Sequence, residues 1–407
     1  MKLLHIIGSM DPIMGGPCQG IRNLNSALEE KKIDREVVSM DDPQSSFLGL
    51  DSFVIHALGP RKSAWQYSPK LLPWLIENLN RFDIVIVNGI WLYHVYAAIK
   101  ALKLLQRKKN VIGNYSNKIP KLYIMPHGML DPYFQKAPDR KLKAFRNWIY
   151  WNLIEGKNIK EASGLLFTCE IELQLARQSF SFYKPKKEIN IGYGVEDAPP
   201  FTPEMKTSFL KKCPNLNDSP YFLFLSRIHP KKGVDMLINA YIELFKSSVM
   251  KKKNDKFPKL VIAGPGIETT YGKNLQHLIL KFPEIQSSVF FPGMLTGDAK
   301  WGALYGCEAF VLPSHQENFG IAVVEALACS KPVLISNQVN IWREIKAAGG
   351  GIVEDDTQKG TAAMLETWRY LSYKEKALMN ERAREIFEKN FSVGPAATRF
   401  IEALKNN

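Results

Sequence analysis

Two carboxylates, Glu317 and Glu325, stand eight residues apart in the segment Pro313-Ser-His-Gln-Glu-Asn-Phe-Gly-Ile-Ala-Val-Val-Glu-Ala326. The apolar run Ala309–Leu312 ends just before it, and a helix-type run, Ile321–Leu327, begins inside it. This pattern predicts Glu317 in a loop and Glu325 about one turn into a helix. Between them the amides of Asn318, Phe319, Gly320, Ile321 and Ala322 fall where a helix start leaves N–H groups without partners, which suits an anion. An anion cradle flanked by two hydroxyl-binding carboxylates is the set of groups that a nucleotide sugar needs.

Cations for such an anion stand in Ser226-Arg227-Ile228-His229-Pro230-Lys231-Lys232-Gly233, directly after an apolar run. Arg227 and Lys232, five residues apart, would offer a planar fork and a point charge to one polyanion. A solvated basic loop is the plainer alternative, but a strand's carboxyl end is where α/β sheets bind ligands. His127, in Met125-Pro126-His127-Gly128-Met129, is the histidine whose neighbours point to chemistry, since Pro126 and Gly128 bracket it at a strand end. A neutral imidazole there could donate to a sugar hydroxyl or near a leaving group. Gly15 and Gly16 close the long loop after the first apolar run, where backbone could approach a diphosphate at a helix start. That loop lacks the Gly-x-Gly-x-x-Gly of a nicotinamide-dinucleotide site. Gly264 and Gly266 in Ala263-Gly-Pro-Gly266, and Gly293 with Met294, could let a base or ribose lie on backbone, although a plain tight turn explains each as well.

The elements that must position these residues are short apolar, β-branched runs with amphipathic stretches between them. One series comprises 3–7, 36–39, 53–58, 84–87, 122–125 and 165–168; the other comprises 221–226, 260–263, 289–291, 309–312, 333–335 and 351–353. Such runs suit strands buried on both faces, so the fold class is α/β with parallel sheets covered by helices. Five prolines in 196–220 mark a linker without a long regular element, which puts one domain at 1–198 and the other at 199–389. The tail from Lys374 to Leu404 reads as helical, its last part (about 390–407) packing back on the first domain.

The 407 residues are 45% hydrophobic and 23% charged, the composition of a globular protein. Five scattered cysteines without a Cys-x-x-Cys pair argue against a disulfide framework or a zinc site. No apolar run is long enough to cross a bilayer, and none resembles a signal peptide, so a cytoplasmic location is expected. The net charge of +14 is concentrated: residues 101–150 hold eleven Lys/Arg against two Asp. Within residues 135–162, Leu142, Phe145, Ile149 and Leu153 recur at helical spacing among Lys136, Arg140, Lys141, Lys143, Arg146, Lys157 and Lys160. Either this is an ordinary core-packed helix with a wet basic face, or it lies in an anionic membrane interface.

These motifs together resemble glycosyltransferase family 4, the glycosyl transferases group 1, over most of the chain. The resemblance rests on Glu317-Asn318-Phe319-Gly320 through Glu325, which has the Glu-x7-Glu form of retaining enzymes, and on the Arg227/Lys232 pair and Pro126-His127-Gly128. It implies the GT-B architecture, two Rossmann-like parallel-sheet domains with an inter-domain cleft. It further implies that Glu325 holds the ribose and Glu317 the transferred sugar. The amides near Asn318, Phe319, Gly320 and Ile321 would contact sugar hydroxyls and phosphate. Arg227, Lys232, Gly15 and Gly16 would hold the diphosphate, and the loops at Gly264, Gly266, Gly293 and Met294 would border the nucleotide. Catalysis is then largely electrostatic, carried by His127, Arg227, Lys232 and Glu317, with retention of anomeric configuration and no metal or other cofactor. No Asp-x-Asp metal motif is present. The implied reaction moves a hexose-type sugar from a nucleoside-diphosphate sugar to a glycan or lipid-linked acceptor in surface polysaccharide synthesis, with no nucleic acid involved. Pro17-Cys18-Gln19 gives no acceptor signature. A nucleotide-sugar epimerase of similar fold and a non-catalytic nucleotide-sugar-binding module are the alternatives. A glycosidase would leave the diphosphate-binding groups without a role.

Overall fold

The computed structural model describes residues 1–112, 118–137, 140–250 and 257–406. The chain divides into two compact units, one holding Met1–Gly194 with the C-terminal helix, the other Val195–Ser392.

In the first unit seven strands form one parallel sheet: β1 (Lys2–Ile7), β2 (Asp34–Ser39), β3 (Val54–Ala57), β4 (Ile84–Asn88), β5 (Lys121–Met125), β6 (Gly164–Phe167) and β7 (Glu188–Asn190). Their spatial order is β3-β2-β1-β4-β5-β6-β7. The chain builds outward in one direction from β1 and in the other from β4, and Ile7 pairs with Asn88 where the two directions meet. The second unit repeats the plan with β8 (Tyr221–Leu225), β9 (Lys259–Ala263), β10 (Val289–Gly293), β11 (Ala309–Leu312), β12 (Val333–Ser336) and β13 (Gly351–Glu354), in the order β10-β9-β8-β11-β12-β13. Here the reversal lies between β8 and β11. Among the central strands, β4, β6, β11 and β12 are buried from end to end, and β1, β2, β5, β8 and β9 at all but one terminal residue, because parallel connections cover both faces with helices.

The fold class expected from the apolar runs is the observed one, and the differences have physical causes. β7 escapes the pattern because it is an edge strand that buries only Ile189. The proline-rich segment is more than a linker: Pro203–Lys212 is a helix with proline in its first turn, where the missing N–H costs nothing. It buries Met205 and Phe209, and Gly302 brings the helix Gly297–Gly306 against its backbone, since a Cβ there would meet the Met205 carbonyl at 2.0 Å. The stretch after the Gly15-Gly16 loop runs as two helices, Gly16–Asn23 and Asn25–Glu30, broken at Leu24. The C-terminal helix, Val393–Asn406, buries Ala396, Ala397, Phe400, Ile401 and Leu404.

The basic amphipathic segment differs most. Its helix, Lys141–Tyr150, continues through a π-helical turn, Trp151–Glu155. The residues at helical spacing, Leu142, Phe145, Ile149 and Leu153, are exposed rather than packed in a core, and the buried side consists of Asn147, Trp151 and Glu155. The ordinary core-packed reading is therefore overturned. Residues 138 and 139 of that segment lie outside the described residues.

Candidate functional site

The loops after β8 and β11 leave the sheet side by side, at the point where strand order reverses and open α/β sheets bind ligands. Gly233 makes the approach possible: it is left-handed (φ 66°), and a Cβ would meet the Pro313 carbonyl at 2.2 Å. The Lys231 carbonyl then accepts from the Ser314 hydroxyl (3.0 Å) and the His315 amide (2.8 Å). This stitching sets the Lys232 ammonium against the Glu317 carboxylate, with the lysine almost fully buried. Glu317 is fixed from its other side by the loop after β12, its amide donating to Gln338 O (2.9 Å) and its carbonyl accepting from the Asn340 amide (3.0 Å). Burial alone would push the Glu317 carboxyl up; Lys232, aided by Lys231 and the Asn318 amide, outweighs it and holds the group below the usual carboxylate range.

The helix Ile321–Ala328 opens at Gly320, whose left-handed backbone (φ 78°) turns the chain and supplies no side-chain cap. Its N-cap position thus offers the first amides, Ile321 and Ala322, no side-chain acceptor among the described residues. Glu325 stands one turn inside and pairs with Lys300 of the Gly297–Gly306 helix (2.9 Å). Asn340 donates to the Asn318 side chain (3.4 Å). Phe319 turns away, buried edge-on against Phe391, so this residue offers backbone only to the helix start. Arg227 is exposed in the same loop as Lys232. The structure thus gathers Lys232, Glu317, Gly320, Ile321 and Glu325 around adjacent strand ends, and adds Lys300, for which the sequence carries no motif.

The glycines after β9 have a packing reason of their own. A Cβ on Gly264 (φ 139°) would meet Ser226 O at 1.9 Å, and one on Gly266 (φ 113°) would meet Ile228 O at 2.5 Å. They let the β9 loop lie on the β8 loop, sealed by Ile228 N to Pro265 O (2.8 Å). Gly293 needs glycine for its φ of 74° alone, since nothing lies within 4 Å of its Cβ position. Met294 beside it is exposed.

In the first unit, Gly15 (φ 69°) and Gly16 have open space where a Cβ would stand, so no neighbour requires glycine at either. Gly16 starts the helix and accepts from the Tyr193 hydroxyl (2.8 Å). The loop ahead of them is tied to Asp41, which accepts from the Ser9 hydroxyl (2.5 Å) and the Met10 amide (2.7 Å). His127 sits half-buried after β5 in a left-handed conformation (φ 52°). The next turn is clamped by the buried Glu172, which accepts from the Gly128 amide (2.5 Å) and the Thr168 amide (2.8 Å).

Behind His127 lies Asn88, at the end of β4. Its amide nitrogen faces the carbonyls of Ile6 (3.4 Å) and Ile86 (3.3 Å) and the Nδ1 of buried His5 (3.2 Å). Carbonyls only accept, so this nitrogen donates and the Asn88 oxygen must face His127 Nε2, 3.0 Å away. His127 is then the Nε2–H tautomer, and its remaining nitrogen, Nδ1, is an acceptor rather than the donor expected above. Burial keeps the ring neutral, pulling its pKa down to about 4. The polar residue that ends an otherwise apolar strand was the available signal for Asn88.

Among the described residues, no three His, Cys, Asp or Glu side chains gather as metal ligands would, and no helix is long and apolar enough to cross a membrane.

Residues 206–385 match the family model for glycosyl transferases group 1. The chain is 27% identical over 191 residues to an uncharacterised glycosyltransferase of Methanocaldococcus jannaschii, spanning 46% of this chain and 45% of that protein. It is 25% identical over 230 residues to the GDP-mannose-dependent monoacylated alpha-(1-6)-phosphatidylinositol monomannoside mannosyltransferase of Corynebacterium glutamicum, spanning 53% and 57%. The chain thus spans about half the length of the curated relatives it matches. Among solved structures, Anabaena HepE in complex with UDP and glucose superposes over 100% of both chains with a TM-score of 0.70 at 16% identity. A glycosyltransferase of Rickettsia africae does so over 100% of this chain and 98% of its own with a TM-score of 0.73, also at 16% identity. At such identities the likeness concerns the fold, which is GT-B.

Proposed function

From the premise that this chain belongs to the glycosyl transferases group 1 family on a GT-B fold, we propose that it is a retaining hexosyltransferase using a nucleoside-diphosphate sugar. The observation that supports this most is the pair of lysine–carboxylate contacts, Lys232–Glu317 and Lys300–Glu325, flanking an uncapped helix start at the strand-order reversal. An ammonium has three donors, so Lys232 can keep Glu317 and still offer N–H groups to a diphosphate. Glu317 in turn accepts from hydroxyls of the sugar, and Glu325 from those of the ribose. The amides of Ile321 and Ala322 and the exposed Arg227 complete the anion's surroundings. As the bond from anomeric carbon to phosphate oxygen breaks, Arg227 and Lys232 stabilise the departing diphosphate while the sugar becomes oxocarbenium-like. The acceptor oxygen bonds to the same carbon on the face that the diphosphate leaves, and its proton passes to the departing phosphate oxygen. Within the first unit, His127 Nε2 donates to Asn88, which leaves Nδ1 as an acceptor for a ligand hydroxyl.

The mannosyltransferase relative, and a lipopolysaccharide 1,2-N-acetylglucosaminetransferase of Salmonella typhimurium at 24% identity, favour a glycan or lipid-linked acceptor in surface polysaccharide or glycolipid synthesis. The reading includes work in the cytoplasm at the inner face of a membrane, without metal or other cofactor.

The test is donor turnover without acceptor. The purified chain is incubated with UDP- and GDP-sugars, and nucleoside diphosphate is measured. Slow release, lost in Lys232→Ala, is expected. Binding without any release, even with acceptor extracts, would make the protein a binding module, and isomerised donor would make it an epimerase; either ends this reading.

A further inference from the structure

We propose that the Lys141–Tyr150 helix is the surface by which this protein lies on an anionic lipid bilayer, its axis in the membrane plane. The helix points its apolar side outward. Leu142 is 88% exposed, Phe145 62%, Trp148 55%, Ile149 39% and, past the π-helical turn, Leu153 61%. A surface helix of a soluble protein normally faces such residues inward. Here the inward positions are taken by Asn147, Trp151 and Glu155, with Trp151 stacked on Phe180 at 4.5 Å, so the core needs nothing from the outer stripe. Phe145 and Trp148 lie parallel, 6.2 Å apart, presenting one aromatic plate to solvent.

Charge decides what covers it. Lys141, Lys143 and Arg146 flank the stripe on the same helix, and Lys157 and Lys160 follow it; all five are exposed. Within residues 140–160 the only carboxylate is Glu155, which is buried, so the outer face is purely cationic. Among the described residues no carboxylate forms an ion pair with any of the five. An apolar stripe with aromatic residues, bordered by Lys and Arg, is the pattern of a helix whose apolar face enters the acyl boundary while its cations meet anionic head groups. A second copy of this chain would bring an equally cationic face against it, and like charges oppose that pairing. This docking stands apart from the donor chemistry, and it gives the proposed peripheral placement a named surface.

The full chain is floated with vesicles of equimolar phosphatidylglycerol and phosphatidylcholine, or of phosphatidylcholine alone, at low and high salt. Binding to the anionic vesicles at low salt, weakened by salt and by removing the anionic lipid, is expected. Two double variants, Phe145→Glu with Trp148→Glu and Lys141→Glu with Arg146→Glu, should each bind about tenfold or more weakly, since each base near the surface contributes about a factor of five. Both change exposed residues, so donor hydrolysis in lipid-free solution should be unchanged, and its persistence separates this surface from the transfer site. No flotation of the parent chain at low salt, or equal flotation of the variants, would overturn the proposal. So would a dimer of the parent chain in sedimentation that the aromatic variant dissolves, because a second copy would then be the occupant.

Discussion

Lys232 and Glu317 act on each other before they act on any ligand. Both are held in a buried or half-buried loop junction, so removing one leaves the other charged and unpaired, a change that typically costs about 3–5 kcal/mol where burial is complete and less here. Lys232→Ala should therefore lower donor turnover by roughly 100-fold or more for every nucleotide sugar, and lower the melting temperature as well. Glu317→Gln, which keeps the shape and a hydrogen-bond acceptor, should retain nucleoside-diphosphate affinity while losing discrimination among sugars. If calorimetry shows both variants losing diphosphate affinity equally, the carboxylate serves only to hold the lysine. The pH dependence has a definite sign. The Glu317 carboxyl is held below its ordinary range, so its contribution to stability is present above the unfolded carboxylate pKa and is lost as pH falls through the folded value. Asn88 sets up a second test at this scale. Asn88→Ala frees the His127 ring to take either tautomer, so turnover should fall while donor affinity, measured by calorimetry, stays close to the parent's. Equal loss of both would mean that Asn88 only supports the fold.

Among the elements, loops after parallel strands do the positioning, and their glycines fall into two kinds. Gly233 and Gly264 are required by backbone from a neighbouring loop, at 2.2 and 1.9 Å from a would-be Cβ, whereas Gly16 faces open space with an ordinary φ. Gly233→Ala should thus cost about 1–3 kcal/mol of stability and pull the β8 and β11 loops apart, abolishing nucleotide binding. Gly16→Ala should melt like the parent; a drop in donor turnover without a drop in melting temperature would show a ligand lying on that backbone, and unchanged turnover would remove Gly16 from the site. This contrast also marks what a sequence can disclose. The strands were legible because burial on both faces leaves unbroken apolar runs such as Phe222–Leu225, and the pairing of Glu317 with Glu325 was legible because one loop and one helix turn carry both. Lys300 was not, because its partner Glu325 comes from another helix and nothing in Asp298-Ala-Lys300-Trp301 announces it. The 141–153 stripe had helical spacing, yet spacing alone cannot say which way a helix faces. Proline counting likewise missed the Pro203–Lys212 helix, because a proline at a helix start is no obstacle.

At the scale of the molecule, each unit carries its own sheet and core, so the two should not be assumed to melt as one. The first unit is closed by a segment that lies beyond the second in sequence, since Val393–Asn406 buries Phe400, Ile401 and Leu404 there, so it is complete only after the second unit has been made. Its stability should also carry a distinctive pH dependence. Glu155 lies fully buried in the π-helical turn, with no partner in hydrogen-bonding geometry for either carboxylate oxygen among the described residues. Burial pushes its pKa up to about 8, and the nearby Asn158 side chain and Trp91 amide offset only part of this. The folded state thus holds a proton that the unfolded chain releases near the ordinary carboxylate pKa of 4.5. Stability linked to this group is complete below that value, declines as pH rises, and is fully lost above the folded value of about 8. Glu155→Gln presents a neutral amide at every pH and removes the dependence. It should melt with the parent near pH 5 and roughly 5–10 °C above it at pH 8.5, in the transition that belongs to the first unit. The two transitions can be told apart by nucleotide, which raises only the melting of the unit that binds it. Parallel pH profiles for the two proteins would show that Glu155 is ionised and paired in the native state, and that the π-helical turn holds no proton at neutral pH.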